Sequence, residues 1–226
     1  MADARWERLA AATGIVFVAM GVAAFLIGGQ PPKADDSAEK VVAYFTEDRN
    51  ALLTSSYLFG LAGVFFLWFL GSLRSHLRRA EGDSGRLSAV VFGAGLLTGA
   101  FFTVGSGAFT ALAFRVAGQT SSDVSLAFYD LGAQITNFAA FGVVAFAGAT
   151  AILVARTGAF PQWIGWLSWL VVLAALAGSV ALFADSGPFA TGGAVSSIGF
   201  GLFFLWFLAL SITLMQKVGR GAAARS

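Results

Sequence analysis

This chain of 226 residues is poor in the side chains that most often carry catalysis. It contains no cysteine, which excludes disulfides, thiolate nucleophiles and cysteine ligands for metals. Its one histidine, His76, lies in an arginine-rich segment, so a zinc site or a Ser-His-Asp triad within the apolar segments is not expected. The sequence also lacks a Walker A phosphate loop. We therefore expect no metal, no cofactor and no catalytic site; an integral membrane enzyme is the least favoured of three functional hypotheses, and it would need a cavity with two carboxylates or a bound metal.

Charged residues are also scarce, at 12% of the chain, whereas 58% of the residues are hydrophobic. Lipid offers the backbone no hydrogen-bond partners, and the apolar segments lack the alternation of barrel strands, so they are predicted to be helices. The expected fold is an all-α, polytopic integral membrane bundle of six transmembrane helices, formed by residues 1–218, with a disordered tail at 219–226. The predicted spans are Leu9–Gly29, Ala51–Leu73, Leu87–Phe114, Leu126–Ala155, Trp163–Ala184 and Gly192–Met215.

The basic residues are distributed unequally between the two sides of these segments. With the N-terminus inside, ten of the fourteen Lys and Arg residues fall in the cytoplasm, which is the usual orientation signal of membrane proteins. We therefore expect a multi-pass protein of the plasma membrane with both termini in the cytoplasm and no nucleic-acid partner. The ten residues are Arg5, Arg8, Arg74, Arg78, Arg79, Arg86, Arg156, Lys217, Arg220 and Arg225.

Four of these residues, Arg74, Arg78, Arg79 and Arg86, flank the connection between the second and third segments. The simpler explanation, which the sequence favours, is that they only orient the chain. They could alternatively hold anionic lipid heads, since each basic residue near such a surface contributes about 1 kcal/mol. Membrane lipids are the expected partners in either case.

The first outer loop, residues 30–50, is the one long stretch that resembles a soluble protein. Pro31 and Pro32 end the first helix, and Asp36 with Glu39 resembles a capping box for a second, short helix. The apolar residues that follow, including Tyr44, gather on one side. The loop is therefore predicted to carry an interfacial helix that packs on the top of the bundle or covers a pocket.

Polar residues form a stripe on each of the third and fourth segments. Residues three or four apart lie on one helix face, and at a rise of about 1.5 Å per residue the two stripes reach matching heights. The sequence therefore predicts one polar seam between these helices, closed at its outer end by an ion pair of Arg115 with Asp130. The stripes consist of Thr103, Ser106 and Thr110 on the third segment and Asp130, Gln134 and Asn137 on the fourth.

This seam has two explanations. Polar side chains can hold helices together for about 0.6 kcal/mol each, and Gly95 with Gly99 or Gly107 with Ala111 would let helices approach closely. The sequence favours this explanation. The alternative is a pocket with apolar walls and a few polar groups. It leads to our first functional hypothesis, in which the seam binds or transports a small amphiphile, lipid or solute.

A second hypothesis comes from a repeated hexapeptide, Phe-Phe-Leu-Trp-Phe-Leu, at residues 65–70 and 203–208. A serine pair precedes each copy, Ser55-Ser56 and Ser196-Ser197. The aromatic runs around Trp68 and Trp206 could dock another membrane protein, which would make the chain a non-catalytic accessory or scaffold subunit. Packing of these rings within the bilayer is the simpler explanation.

The residue pattern resembles a group of uncharacterised bacterial six-helix membrane proteins that are common in actinobacteria. The resemblance is carried by the helix from Ser37 to Phe45 that leads into the second span, by the basic exit from Leu73 to Arg79, and by the sequence 158–165 that begins the fifth span. It covers nearly the whole chain and implies a six-helix fold. It assigns a role to no residue.

Overall fold

The computed structural model describes the backbone of residues 2–82 and 84–223 and the side chains of residues 9–82 and 84–217. Within these residues the chain is helical and forms no strand. All helices except α2 are long and apolar enough to cross a membrane, so the predicted six-span bundle with a short helix in its first loop is confirmed. The helices are α1 Ala2–Gly28, α2 Ala38–Glu47, α3 Arg49–Glu81, α4 Arg86–Gln119, α5 Ser122–Thr157, α6 Gln162–Leu182 and α7 Ala194–Ala223.

Several helices extend beyond the predicted spans. The basic segment after Leu73 is helical, because α3 continues to Glu81. Helix α7 continues to Ala223, past residue 219 where the sequence predicts a disordered tail, and residues 224–226 lie outside the described part. The side chains of Arg5, Arg8, Arg220 and Arg225, four of the residues that predict the orientation, also lie outside it. We call the end of the bundle that carries α2 the α2 face and the end that carries Arg78 the basic face.

The six long helices form a closed ring, since each packs on its neighbours in the chain and α7 returns to α1. Aromatic rings fill the centre. The Phe207 ring lies 4.7 Å from that of Phe17 and 4.6 Å from that of Phe69, and the Trp206 ring lies 4.9 Å from that of Phe146. Because lipid tails are as apolar as these rings, the close packing and the aromatic pairs hold the helices together, each such pair contributing about 0.5–1.5 kcal/mol.

The connections on the basic face are ordered by hydrogen bonds to the backbone. The carboxylate of Glu81 accepts the N–H groups of Leu87 and Ser88, at 2.7 and 2.9 Å, and so caps the first turn of α4. The turn between α5 and α6 begins at Gly158, whose φ of 64° favours glycine. Lys217 of α7 donates to the carbonyl that follows, that of Ala159, at 2.7 Å.

Helix α2 lies on top of the bundle, with Val41 and Phe45 buried against α3, α4 and α5. Its N-cap is Ser37, one residue after the predicted Asp36, and the Ser37 hydroxyl accepts the N–H of Lys40. The Tyr44 hydroxyl donates to the carbonyl of Gly28 at 2.7 Å, which ties α2 to the end of α1.

Helix α4 contains one π-helical turn, Leu112–Val116, directly beneath α2. A π turn places one more residue in the turn than an α-helix does, and it disturbs the regular pairing of backbone carbonyls. The guanidinium of Arg49 donates to the carbonyl of Phe114 through two nitrogens, at 3.1 and 3.3 Å. The start of α3 is thereby joined to the irregular end of α4.

Candidate functional site

The contact between α4 and α5, where the sequence places the polar seam, is closely packed. A Cβ atom on Gly105 would collide with the Thr136 hydroxyl and come within 2.8 Å of the carbonyl of Gly132. A Cβ atom on Gly142 would lie 2.5 Å from the Thr98 hydroxyl. The two backbones therefore meet through glycine at these two positions, with no space for a ligand there, as in other close helix contacts in membranes.

The predicted stripes lie on other faces of these two helices. Successive residues of an α-helix are rotated by about 100°, which places the stripe residues about 80° to 160° away from the glycines that form the contact. The prediction of matched heights considered only position along the helix axis and left out this rotation. The stripes therefore do not face each other.

The stripe on α5 faces the connection between α6 and α7. The side-chain amide of Asn137 donates to the hydroxyl of Thr191 at 3.0 Å and approaches the Gln134 side chain at 3.5 Å. The carbonyl of Thr191 in turn accepts the N–H of Ala34 in the first loop, at 3.1 Å. Asn137 thus anchors two loops of the α2 face, and Gln134 and Asp130 are exposed.

The predicted ion pair of Arg115 with Asp130 is wrong. In the described part of the chain the ion pair within 4 Å is that of Lys40 with Asp36, at 2.6 Å. Arg115 is exposed and its guanidinium lies 5.7 Å from the ring of Phe114. Because Arg115 belongs to the π turn, extrapolation along a regular α-helix misplaces its side chain.

The three stripe residues on α4 differ in their hydrogen bonds and in the cavities that they line. The hydroxyls of Thr103 and Thr110 donate to carbonyls of their own helix, those of Gly99 and Ser106, at 2.8 and 2.7 Å. Thr110 lines neither of the two cavities described below, whereas Thr103 and Ser106 each line one of them. Two of the six predicted ligand-binding residues therefore border enclosed space, and they do so on the side of α4 that faces α3.

The first cavity, which we call the apolar slot, lies between α3 and α4 and has a volume of about 450 Å³. Phe66 and Phe203 form its inner wall and are buried. At its mouth, Val64 and Val104 are 50% and 59% exposed, so the slot opens sideways through the wall of the bundle. In a bilayer this opening would meet the lipid chains.

Glycines create the slot. Gly60 and Gly63 of α3 border it, and a Cβ atom at either position would meet nothing within 4 Å. The polar side chains in its lining are Thr98 and Thr103, whose hydroxyls donate to carbonyls of α4. The slot therefore presents a hydrocarbon-like surface throughout its length.

The second cavity, the tyrosine chamber, lies directly beneath α2 and has a volume of about 260 Å³. It is lined by α1, α3, α4, α5 and α7, and Tyr44 and Phe45 of α2 cover it. Its polar lining consists of hydroxyl groups, which belong to Tyr44, Ser55, Ser56, Ser106, Tyr129 and Thr136. The chamber is thus the polar counterpart of the slot.

Three phenylalanines, Phe59, Phe102 and Phe200, line both cavities and form their common boundary. The Phe102 ring lies 6.3 Å from that of Phe59 and 6.5 Å from that of Phe200. The slot and the chamber are therefore adjacent cavities with these rings between them, one apolar with a lateral opening and the other hydroxyl-lined beneath α2.

Sequence reasoning singled out Thr103 and Ser106 but missed most of this lining. Gly60, Gly63 and Ser56 lie on α3, a helix to which the sequence assigned no pocket residue. The available signal was the presence of glycines on α3 opposite Gly99 of α4, together with the serine pair before the first hexapeptide. Gly99, predicted as part of a close-packing pair, does pack closely, and its partner is Phe66 of α3.

The electrostatic environment of the chamber is neutral. Burial, with a smaller contribution from the negative charge of Asp48, raises the pKa of Tyr44 to about 12, so its phenol remains protonated and donates its hydrogen bond. Within the described part of the chain no three acidic or histidine side chains lie close enough together to hold a metal ion.

On the basic face, Arg74, Arg78, Arg79 and Arg86 are exposed around the α3–α4 connection. The guanidinium of Arg74 lies 5.0 Å from the ring of Phe92, a distance typical of a cation–π contact. These side chains are therefore at the surface of the basic face.

The two copies of the hexapeptide have different environments. Trp206 is fully buried and its indole N–H donates to the hydroxyl of Ser168 at 2.8 Å, whereas Trp68 is 54% exposed. The Trp206 ring packs in the centre of the bundle and therefore offers no surface to another protein. The accessory-subunit hypothesis keeps Trp68 alone.

No protein-family model, curated protein or solved structure matches this chain.

Proposed function

We propose that this protein binds a small amphiphile inside the bundle, with the hydrocarbon chain in the apolar slot and the polar end in the tyrosine chamber. The observation that carries the proposal is the pair of adjacent cavities of different polarity, which share Phe59, Phe102 and Phe200 as their boundary. Ligand pockets in proteins usually measure about 300–1,000 Å³ and combine apolar walls with a few polar groups, and the two cavities taken together have these properties. The lateral opening between Val64 and Val104 gives a hydrocarbon chain direct entry from the membrane.

The proposal moves the predicted site by one helix, from the α4–α5 contact to the space between α3 and α4. Thr103 and Ser106 remain part of it. Thr110, Asp130, Gln134 and Asn137 do not, since none of them borders either cavity.

Photolabelling tests the proposal. The protein in lipid nanodiscs is irradiated with hexadecanol that carries a diazirine in mid-chain, and the labelled residues are mapped by mass spectrometry. We expect labelling of Phe66 and Phe203, which are buried inside the slot, and we expect excess unlabelled hexadecanol to compete for it. Labelling confined to lipid-facing residues such as Leu173, which is 64% exposed, would contradict the proposal.

We further propose that the basic face lies in the cytoplasm and that Arg74, Arg78, Arg79 and Arg86 contact anionic lipid heads there, in the plasma membrane. The positive-inside rule supports this orientation. The absence of cysteine permits a direct test with single-cysteine variants and a membrane-impermeant maleimide. Ser186→Cys, exposed on the α2 face, should react in intact cells, and Ser84→Cys, exposed on the basic face, should react only after lysis. The reverse pattern would invert the topology.

A further inference from the structure

The tyrosine chamber is lined by hydroxyl groups and by no charged side chain among the described residues. An ionic head group placed there would lose its hydration without meeting an opposite charge. Burial of an unpaired charge costs far more than burial of a neutral polar group that finds a hydrogen bond. The lining therefore discriminates against phosphate, carboxylate and ammonium heads.

Four of the six hydroxyls in the chamber already donate to backbone carbonyls. Tyr44 donates to Gly28 and Ser55 donates to Ala24, both at 2.7 Å. Thr136 donates to the carbonyl of its own helix four residues earlier, at 2.8 Å, and Tyr129 donates to Pro32. These four groups shape the chamber, and their protons are not available to a ligand.

The remaining two hydroxyls, those of Ser56 and Ser106, have no hydrogen-bond partner in the described part of the chain. They lie on different helices, α3 and α4, and both border the chamber. Both are partly exposed, and the accessible side of each includes the cavity. A serine hydroxyl can donate one hydrogen bond and accept others, so the pair can bind a group that donates, accepts or does both.

We propose that the head of the bound amphiphile is an uncharged oxygen function, a hydroxyl or a carbonyl, held by Ser56 and Ser106. This inference rests on the proposed function and adds the chemical class of the head group. A long-chain or isoprenoid alcohol, or a ketone or quinone with a hydrocarbon tail, has this chemistry. Phospholipids and free fatty acids do not.

Three probes with the same diazirine-bearing hexadecyl chain test the head group on the unchanged protein in nanodiscs. They end in a hydroxyl, a phosphate monoester and a trimethylammonium group. We expect saturable labelling of the slot by the alcohol and at least about tenfold weaker apparent affinity for the two charged probes, because burial of an unpaired charge is so costly. Equal or tighter binding of either charged probe would overturn the inference and leave the proposed function intact.

Absence of specific labelling by all three probes would overturn the proposed function itself. The two failures are therefore distinguishable.

Serine variants test the two residues. The double variant Ser56→Ala with Ser106→Ala should weaken binding of the alcohol probe by about fivefold or more, since two hydrogen bonds of ordinary strength are lost. Ser72→Ala is the matched control on α3, because the Ser72 hydroxyl bonds to the carbonyl of Trp68 outside both cavities. Unchanged affinity in the double variant, at a thermal stability equal to that of the control, would exclude these serines from the site.

Discussion

Helix α4 has a closed side and an open side. Towards α5, Gly105 lies against Gly132 and Thr136, and the two backbones are in contact. Towards α3, a Cβ atom on Gly60 or Gly63 would meet nothing within 4 Å, and a cavity of about 450 Å³ lies beside these glycines. The same small residue therefore closes one interface and opens the other.

The difference lies in what stands opposite each glycine. On the closed side the opposing residues are also glycine or threonine, so nothing keeps the helices apart. On the open side the opposing helix carries large rings such as that of Phe102, which hold the backbones apart while the glycines leave the gap unfilled. A glycine motif in one helix predicts close packing only when the partner surface is known.

The largest effect is expected on the closed side. Gly105→Leu should destabilise the bundle by about 3 kcal/mol, because its side chain collides with the Thr136 hydroxyl and the backbone of Gly132. Unfolding in a denaturing detergent, followed by circular dichroism, measures the change. Gly107→Leu is the control on the same helix, since a Cβ atom there meets nothing within 4 Å. If the two variants were equally stable, α4 and α5 would not be in close contact at Gly105.

The open side should respond in binding and not in stability. Gly60→Leu places a side chain in the slot, where it displaces the ligand chain, and should lower the apparent affinity for the hexadecanol probe by about tenfold, the equivalent of about 1.4 kcal/mol. Gly71→Leu is the matched control. Gly71 is also exposed on α3, and a Cβ atom there would meet nothing within 4 Å, but Gly71 borders neither cavity. If both variants bind the probe equally, the slot is not the binding site.

The two tryptophans of the repeated hexapeptide differ in the same way, since Trp206 is buried and Trp68 is exposed. Trp206→Phe should lower the free energy of unfolding by about 1–3 kcal/mol, because the variant loses the hydrogen bond to Ser168 in a fully buried position. Trp68→Phe should have a smaller effect, since the Trp68 side chain is 54% exposed. Thermal unfolding in the same detergent compares them. A larger loss of unfolding free energy in Trp68→Phe than in Trp206→Phe would show that Trp206 is not the ring packed at the centre of the bundle.

The smallest expected effect is on stability at high pH, and it comes from Tyr44, which covers the tyrosine chamber. The pKa of Tyr44 is raised from 10.0 to about 12, so the folded state retains this proton longer than the unfolded chain does. The stabilisation from the buried phenol is therefore complete below pH 10 and is lost as the pH rises through about 12. Ultraviolet absorbance of the phenolate, recorded for the protein and for Tyr44→Phe, isolates this group by difference. A difference titration centred near pH 10 would show that Tyr44 is not buried under α2.

Sequence reasoning predicted the number of spans and the short helix in the first loop, because both depend on local composition. It also placed Ser106 and Thr103 among the candidate ligand-binding residues, and both border a cavity. It assigned Asn137 to the same seam, whereas this side chain binds Thr191 in a distant loop. The error arose because residues at equal depth can point in different directions around their helices.

The sequence by itself determined that the chain forms a membrane bundle of six apolar helices with its charged groups near the ends, since hydropathy acts on each segment separately. Only the tertiary structure decided which helix faces meet. That choice depends on the rotation of each helix about its axis, on the π turn at Leu112–Val116 and on the side chains opposite each glycine. The cavity exists where rings on one helix face glycines on another, a relation that no single segment contains.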